Sequence, residues 1–346
     1  MKVLMIGLGS IGQRHLRNIR RLYGESAEII AYRVRKLKTA FSDSMQIREN
    51  IDLEKEYHIS AYTDLSEALA QKPNVAFICN VTSAHISCAL EVAKRGCHLF
   101  LEKPISDSMD GVEELKRISE EKKIKVFVGF QNRYHPALLK AKEYIKSGRI
   151  GKIISAHAEV GERLATMHSY EDYRTTYMAR SELGGGVILN QMIHEIDYLR
   201  YIFGEPDSIF AFGNEESENL GIDVDDCCDA MLNFQGIPIS MHADFYQFPP
   251  ERYLLVVGSL GKIKADLIKN RITLWEGDRI TETDFDSFSR NDMFVEELRL
   301  FMECIEKDGK PDITLHDGIA ALEIALAAKR SIIDHEVVFD LNKQLL

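Results

Sequence analysis

The run Gly7-Leu8-Gly9-Ser10-Ile11-Gly12 spaces three glycines as a main chain must be built to grip a pyrophosphate. Gly7 permits a tight turn, Gly9 lets the backbone approach the phosphates, and Gly12 lets a helix pack closely against the preceding strand. The N–H groups that open that helix, with its positive dipole end, attract the anion, and Ser10 and Ile11 share the turn. An acidic residue is expected about twenty positions further on, where it would bind a ribose 2′-hydroxyl. Here Tyr32 and Arg33 stand there, with Arg35 and Lys36 close behind. A carboxylate would repel a 2′-phosphate, whereas Arg33 and Arg35 can bind one through charged hydrogen bonds, which favours NADP over NAD. Solvated charges on a strand end are the alternative, and they would leave the cofactor choice undecided.

A second concentration of chemistry lies between His157 and Arg180. It holds Arg163, His168, Tyr170, Tyr173, Arg174, Tyr177 and Arg180, just ahead of Gly184-Gly185-Gly186. Arginine forks and tyrosine hydroxyls suit a substrate with an anionic group. A solvated or subunit-contacting loop reads equally well.

These residues need elements to position them. Val3-Leu4-Met5-Ile6 precedes the glycine turn as a strand, and Ile11, Leu16, Ile19 and Leu22 follow it at helical spacing. Strands are then predicted at 28–32, 59–62, 75–79, 98–101 and 124–129, alternating with helices. Asp64 is read as an N-cap with Glu67 as its capping-box partner. Continuous apolar runs of this kind belong to strands buried on both faces, so the sheet is expected to be parallel and doubly wound. From Gln131 the rhythm changes. A helix over 136–147 is followed mainly by strands, closely spaced from Ile237 to Trp275 and expected to pair mostly antiparallel, and then by helices near 294–307 and 317–333. The predicted fold is α/β: a Rossmann dinucleotide-binding domain over 1–130, and an α+β domain with a large open sheet over 131–346 for substrate binding and oligomerisation.

The chain has 346 residues and a net charge of −11, which argues against nucleic acid as a partner. Its six cysteines show no metal-ligand spacing, so no metal site is expected, and Cys79, Cys88 and Cys97 read as reduced core thiols. No apolar run reaches the length of a membrane span, and the expected setting is cytoplasmic.

Three features fall into register: the glycine loop, Glu102-Lys103-Pro104 at a strand end, and Gly184 to Asp197 with its Asn190 and His194. With Arg14-His15, His85, Arg133, Pro136, Gly148 and Gly151, this ordered set resembles the glucose–fructose oxidoreductase, inositol dehydrogenase and rhizopine-catabolism (Gfo/Idh/MocA) family over essentially the whole chain. The resemblance implies a nicotinamide-dependent dehydrogenase or reductase acting on a sugar, cyclitol or related polyol. It places Lys103 and His194 beside the nicotinamide, and Asn80, Thr82, His85, Glu102 and Gln131 with the cofactor. It lays the 157–180 connection, with Arg163, Tyr173 and Arg174, over the substrate. Oxidising an alcohol removes a hydride and a proton, so a base must reach the hydroxyl. His194 is the favoured proton-transfer group and Lys103 the residue that polarises the oxygen; the reverse assignment also satisfies the sequence. The family usually has aspartate where this chain has Asn190, which can position a hydroxyl but cannot take a proton. Asp197 is a substitute partner for His194 or a packing carboxylate. A homodimer or homotetramer through the second-domain sheet is implied. Two other readings use the same residues: a redox relay with tightly held cofactor, and a silent sugar-responsive regulator.

Overall fold

The computed structural model describes residues 1–35, 37–43, 46–167, 170–339 and 341. Lys36 and His168 lie outside the described residues. The chain divides into two compact units: Met1–Gly129 with Arg290–Ile319, and Phe130–Ser289 with Ala320–Leu346.

The first unit is built on β1 (Lys2–Ile6), β2 (Glu28–Tyr32), β3 (Ser60–Tyr62), β4 (Val75–Ile78), β5 (His98–Glu102) and β6 (Val126–Gly129). Their order across the sheet is β3-β2-β1-β4-β5-β6, with every pairing parallel. This is the doubly wound order, whose direction reverses between β1 and β4 and opens a ligand crevice at their carboxyl ends. The strands read as unbroken apolar runs because both faces are covered; β4 and β6 are buried at every position. The connecting helices are α1 (Ser10–Tyr23), α2 (Leu65–Ala70), α3 (His85–Lys94) and α4 (Val112–Glu121). Asp64 caps α2 as its spacing predicts, its carboxylate accepting from Glu67 N at 3.0 Å.

Phe77, Phe100 and Phe127 are register partners on three adjacent strands, with stacked rings 4.9 and 5.5 Å apart. A segment that the sequence reading leaves in the second domain folds onto this ladder. The helix Arg290–Glu306 sets Phe301 against all three rings, at 5.9, 5.6 and 5.8 Å. Burying that aromatic area is the physical reason residues 290–319 belong with the first unit.

The second unit opens with α5 (Pro136–Lys146) and α6 (Ile193–Phe203). Its sheet comprises β7 (Ile153–Gly161), β8 (Ser208–Gly213), β9 (Cys227–Phe234), β10 (Ile237–Asp244), β11 (Glu251–Gly258), β12 (Gly261–Asp266), β13 (Arg271–Glu276), β14 (Arg279–Asp284) and β15 (Val338–Phe339). The order is β14-β13-β12-β11-β7-β10-β9-β8-β15. All pairs are antiparallel except β7 with β10. In β9, Cys228, Ala230, Leu232 and Phe234 are buried while Asp229 and Met231 are exposed, the alternation of a sheet covered on one face. The sequence reading misses β14 and β15. Arg279–Asp284 has no buried residue, so no apolar signal marks it, and Val338–Phe339 is too short to show a period. The fold class is otherwise as expected. No described helix is long and apolar enough to cross a membrane.

Candidate active site

In the first unit the candidate residues cluster at the carboxyl ends of neighbouring strands: Gly7 to Gly12 after β1, Arg33 after β2, Asn80 after β4 and Lys103 after β5. Gly7 has φ +91°, and its N–H donates to Tyr32 O at 3.1 Å. A Cβ there would lie 2.8 Å from Cys79 O and 2.9 Å from Asn80 Cα. A Cβ on Gly12 would run into the Gly7 carbonyl oxygen, so strand and helix touch backbone to backbone. Gly9 is the N-cap of α1, and a Cβ on it would meet nothing within 4 Å. No side chain caps this helix and no acidic residue occupies its first turn. The leading N–H groups of a helix lack intrahelical acceptors and lie in its positive field. This arrangement fits a dinucleotide pyrophosphate.

Arg33 and Arg35 are not the equivalent pair the sequence suggests. Arg35 is exposed, whereas Arg33 is buried, with Nη2 donating to Leu37 O at 2.6 Å and Nη1 3.8 Å from Glu54. Arg33 Nε is buried with no hydrogen-bond partner among the described residues, and the same holds for Asn80 Oδ1. Asn80 Nδ2 donates to Ala84 O at 3.2 Å, closing the turn in which Thr82 is buried. His85 braces two loops: Nδ1 lies 2.7 Å from Pro104 O and Nε2 3.1 Å from Asn80 O. Burial lowers its pKa, and the hydrogen bonds to the two carbonyls oppose that shift. Both ring nitrogens face main-chain carbonyls, which makes this histidine a brace for the turns beside Asn80 and Lys103.

Glu102, the last residue of β5, is also spoken for. Its Oε1 accepts from His15 Nε2 at 2.7 Å and its Oε2 from Lys103 N at 3.3 Å. His15 is fully buried among Phe77, Phe100 and Phe294. The carboxylate therefore ties α1 to the backbone of the half-buried Lys103, and the sequence offered no spacing that would pair residues so far apart.

In the second unit, His194 and Asn190 sit where a π-helical turn, Ile188–Met192, runs into α6. Such turns recur at functional sites because they re-aim side chains within a helix. Both residues are buried, with Asn190 Nδ2 donating to Gly186 O at 2.9 Å and the His194 ring edge-on to Phe130 at 6.2 Å. Asp225, unremarked in the sequence, organises the turn. It accepts from Ile188 N at 2.8 Å, pairs with Lys329 at 2.7 Å, and occupies the space a Cβ on Gly186 would need. Two arginine forks then pin α6. Arg252 meets the fully buried Glu195 at 2.8 and 2.9 Å, and Arg133 meets Asp197 at 2.8 and 2.6 Å. Both Asp197 oxygens accept from one buried arginine. Gln131 lies in the buried turn Gln131–Tyr134 that opens this unit, its Oε1 without a partner among the described residues.

The Arg/Tyr segment is less uniformly cationic than its composition implies. Arg174 is exposed and pairs with Asp172 at 2.9 Å, and Arg180 pairs with Glu182 at 2.5 Å. Tyr173 donates its hydroxyl to Leu220 O at 2.9 Å. Arg163 is exposed and lies over the Phe248 ring at 5.1 Å.

Residues 1–130 match the family model described as "Oxidoreductase family, NAD-binding Rossmann fold", and residues 138–264 match that of the GFO/IDH/MocA C-terminal domain. The chain belongs to the Gfo/Idh/MocA oxidoreductase family. It is 28% identical over 348 residues to myo-inositol 2-dehydrogenase of Thermotoga maritima, covering 96% of each protein. Among solved structures, levoglucosan dehydrogenase in complex with NADH and levoglucosan superposes with a TM-score of 0.82 at 19% identity, covering 98% of this chain and 99% of that one. The WlbA dehydrogenase of Bordetella pertussis, in complex with NADH and UDP-GlcNAcA, gives 0.80 at 21% identity, covering 98% and 97%. At these identities the structural likenesses concern the fold. Membership makes this family member an oxidoreductase with an NAD-binding Rossmann fold.

Breaking the Arg133–Asp197 fork separates a packing role for Asp197 from a substrate contact. Asp197→Ala removes the carboxylate that the buried Arg133 fork addresses and is expected to cost about 3–5 kcal/mol in urea denaturation. A rise in KM with unchanged stability would instead assign Asp197 to the substrate.

Proposed function

We propose that this protein transfers a hydride between a nicotinamide dinucleotide and a secondary alcohol or ketone of a cyclitol, sugar or sugar derivative. The observation that carries the reading is the uncapped N-terminus of α1 behind Gly7, Gly9 and Gly12, in a chain of this family. The inositol dehydrogenase relative, matched along nearly its whole length, supports a polyol as the substrate class. Gly7 to Gly12 would hold the pyrophosphate, and Asn80 and Thr82 would flank it. When bound, the nicotinamide supplies the two-electron acceptor or donor. The protein's own residues handle the proton. His194 takes it from the hydroxyl during oxidation and returns it during reduction, a role suited to an imidazole. Lys103 polarises the substrate oxygen with its ammonium, and Asn190 orients a neighbouring hydroxyl. Lys103→Met and His194→Asn are each expected to lower kcat by about 10²-fold or more, with cofactor affinity retained. Full activity in either variant, measured on a panel of cyclitols, sugars, sugar acids and nucleotide sugars, would remove that residue from the mechanism. The panel also tests the finer expectation of an anionic substrate, which rests on Arg163 because Arg174 and Arg180 already have carboxylate partners.

For the cofactor, the finer reading is NADP over NAD. It is supported by the absence of a carboxylate at Tyr32 and Arg33, and by the unpartnered Arg33 Nε. Because Arg33 already spends Nη2 on Leu37 O, the preference should be modest, about tenfold in kcat/KM, the weight of one charge-assisted hydrogen bond. Arg33→Ala should abolish it, and equal or better kcat/KM with NAD in the wild type would overturn it.

Assembly into a homodimer or homotetramer through the open face of the nine-stranded sheet belongs to the same proposal. Phe212 and Met231 lie exposed on that face, at 63% and 49%. Light scattering should give a multiple of the chain mass that Met231→Glu reduces. A monomer in the wild type would contradict it.

A further inference from the structure

Behind the glycine turn lies a buried group of titratable side chains that the proposed chemistry does not use. The helix α7 (Arg290–Glu306) carries Glu297 into the interior of the first unit, where it is 0% exposed. Its carboxyl lies within 4.8 Å of His15 and Glu102. Neither Glu297 oxygen has a hydrogen-bond partner among the described residues. Glu102, by contrast, accepts from His15 and from Lys103 N. The walls are apolar, with Phe77, Phe100 and Phe294 around the His15 ring at 5.5, 4.7 and 6.1 Å.

Two carboxylates cannot both stay ionised this close together in such a medium. An unpaired buried charge costs several kcal/mol, and like charges raise each other's pKa. The proton belongs on the group that gains nothing from its charge. Glu102 accepts from two donors, while Glu297 has none among the described residues. Burial, and after it the charge of Glu102, push the Glu297 carboxyl well above the usual range. Of the other titratable groups here, His15 gives its Nε2 to Glu102 and makes no hydrogen bond to Glu297. Burial holds the Cys79 thiol neutral. The Arg14 guanidinium, on the same helix as His15, spends its donors on Asn291 at 2.9 Å and Asp43 O at 2.8 Å.

We propose that Glu297 is held as a neutral carboxylic acid at neutral pH, leaving Glu102 as the only anion of the cluster and so fixing the turn that carries Lys103. Glu297 is thus a positioning residue, acting through Glu102. Its functional consequence rests on the role given to Lys103 above; its protonation does not.

The sign of the pH effect follows from linkage. A carboxyl whose folded pKa exceeds its unfolded value binds a proton in the folded state that the unfolded chain has released. Stability therefore falls as pH rises from the ordinary glutamate range towards the folded pKa. Glu297→Gln, neutral at every pH, should remove one proton's worth of that slope and raise the urea midpoint, increasingly so towards alkaline pH. The infrared spectrum of the full-length protein at neutral pH should contain a carboxylic-acid carbonyl band that shifts on ¹³C-glutamate labelling and vanishes in Glu297→Gln. The labelled wild type gives this answer even if the variant fails to fold. A spectrum with no protonated glutamate band would overturn the proposal, as would a stoichiometric metal ion in the cluster. A band present with Lys103→Met fully active would refute the role of Lys103 and leave the protonation standing.

Discussion

The hydrogen bond from His15 to Glu102 joins residues 87 positions apart, and the first unit's chemistry is arranged around it. One partner rides on α1, whose N-terminus faces the space a pyrophosphate fits. The other ends β5 and accepts the N–H of Lys103. Buried among phenylalanines, the bond acts in a low dielectric where it is stronger than in water and where an unpaired neighbour is costly. The bond thus links α1 to the turn that carries Lys103. The aromatic ladder of Phe77, Phe100 and Phe127 and the Phe301 edge keep this region dry.

The second unit achieves comparable rigidity by other means. Its key helix starts with a π turn capped by Asp225, and buried forks from Arg252 and Arg133 then clamp it. Such pairs add less stability than their geometry suggests, because desolvation offsets much of the Coulomb gain. Their effect is directional: they fix the rotation of α6, and with it the direction of His194. In the proposed reaction proton transfer depends on that direction, since a base displaced from hydrogen-bond reach contributes little.

Much of the architecture was legible in the sequence. Apolar runs between glycine and proline signals located the six strands of the first sheet and seven of the nine in the second, because burial on two faces and on one face leave different periods. The glycine loop was legible because backbone contact leaves no alternative to glycine at positions 7 and 12. Long-range pairing was not. Nothing local says that Phe301 packs on Phe100, that His15 meets Glu102, or that Glu297 points inward. A charge in the sequence also says nothing of its partner. Arg174 looked like a ligand group and is paired with Asp172, while Asp197, one possible partner for His194, holds Arg133. The strand Arg279–Asp284 escaped notice because an exposed edge need not be apolar.

If this oxidoreductase moves a hydride between a polyol carbon and a nicotinamide, a label on that carbon must follow it into the cofactor. The most direct measurement uses the best polyol of the panel, deuterated at its carbinol carbon, with mass spectrometry of the cofactor after turnover. The reduced cofactor should accumulate with one deuterium, and His194→Asn should slow that accumulation. Turnover that leaves no deuterium in the cofactor, or cofactor binding with no transfer from any polyol, would contradict it.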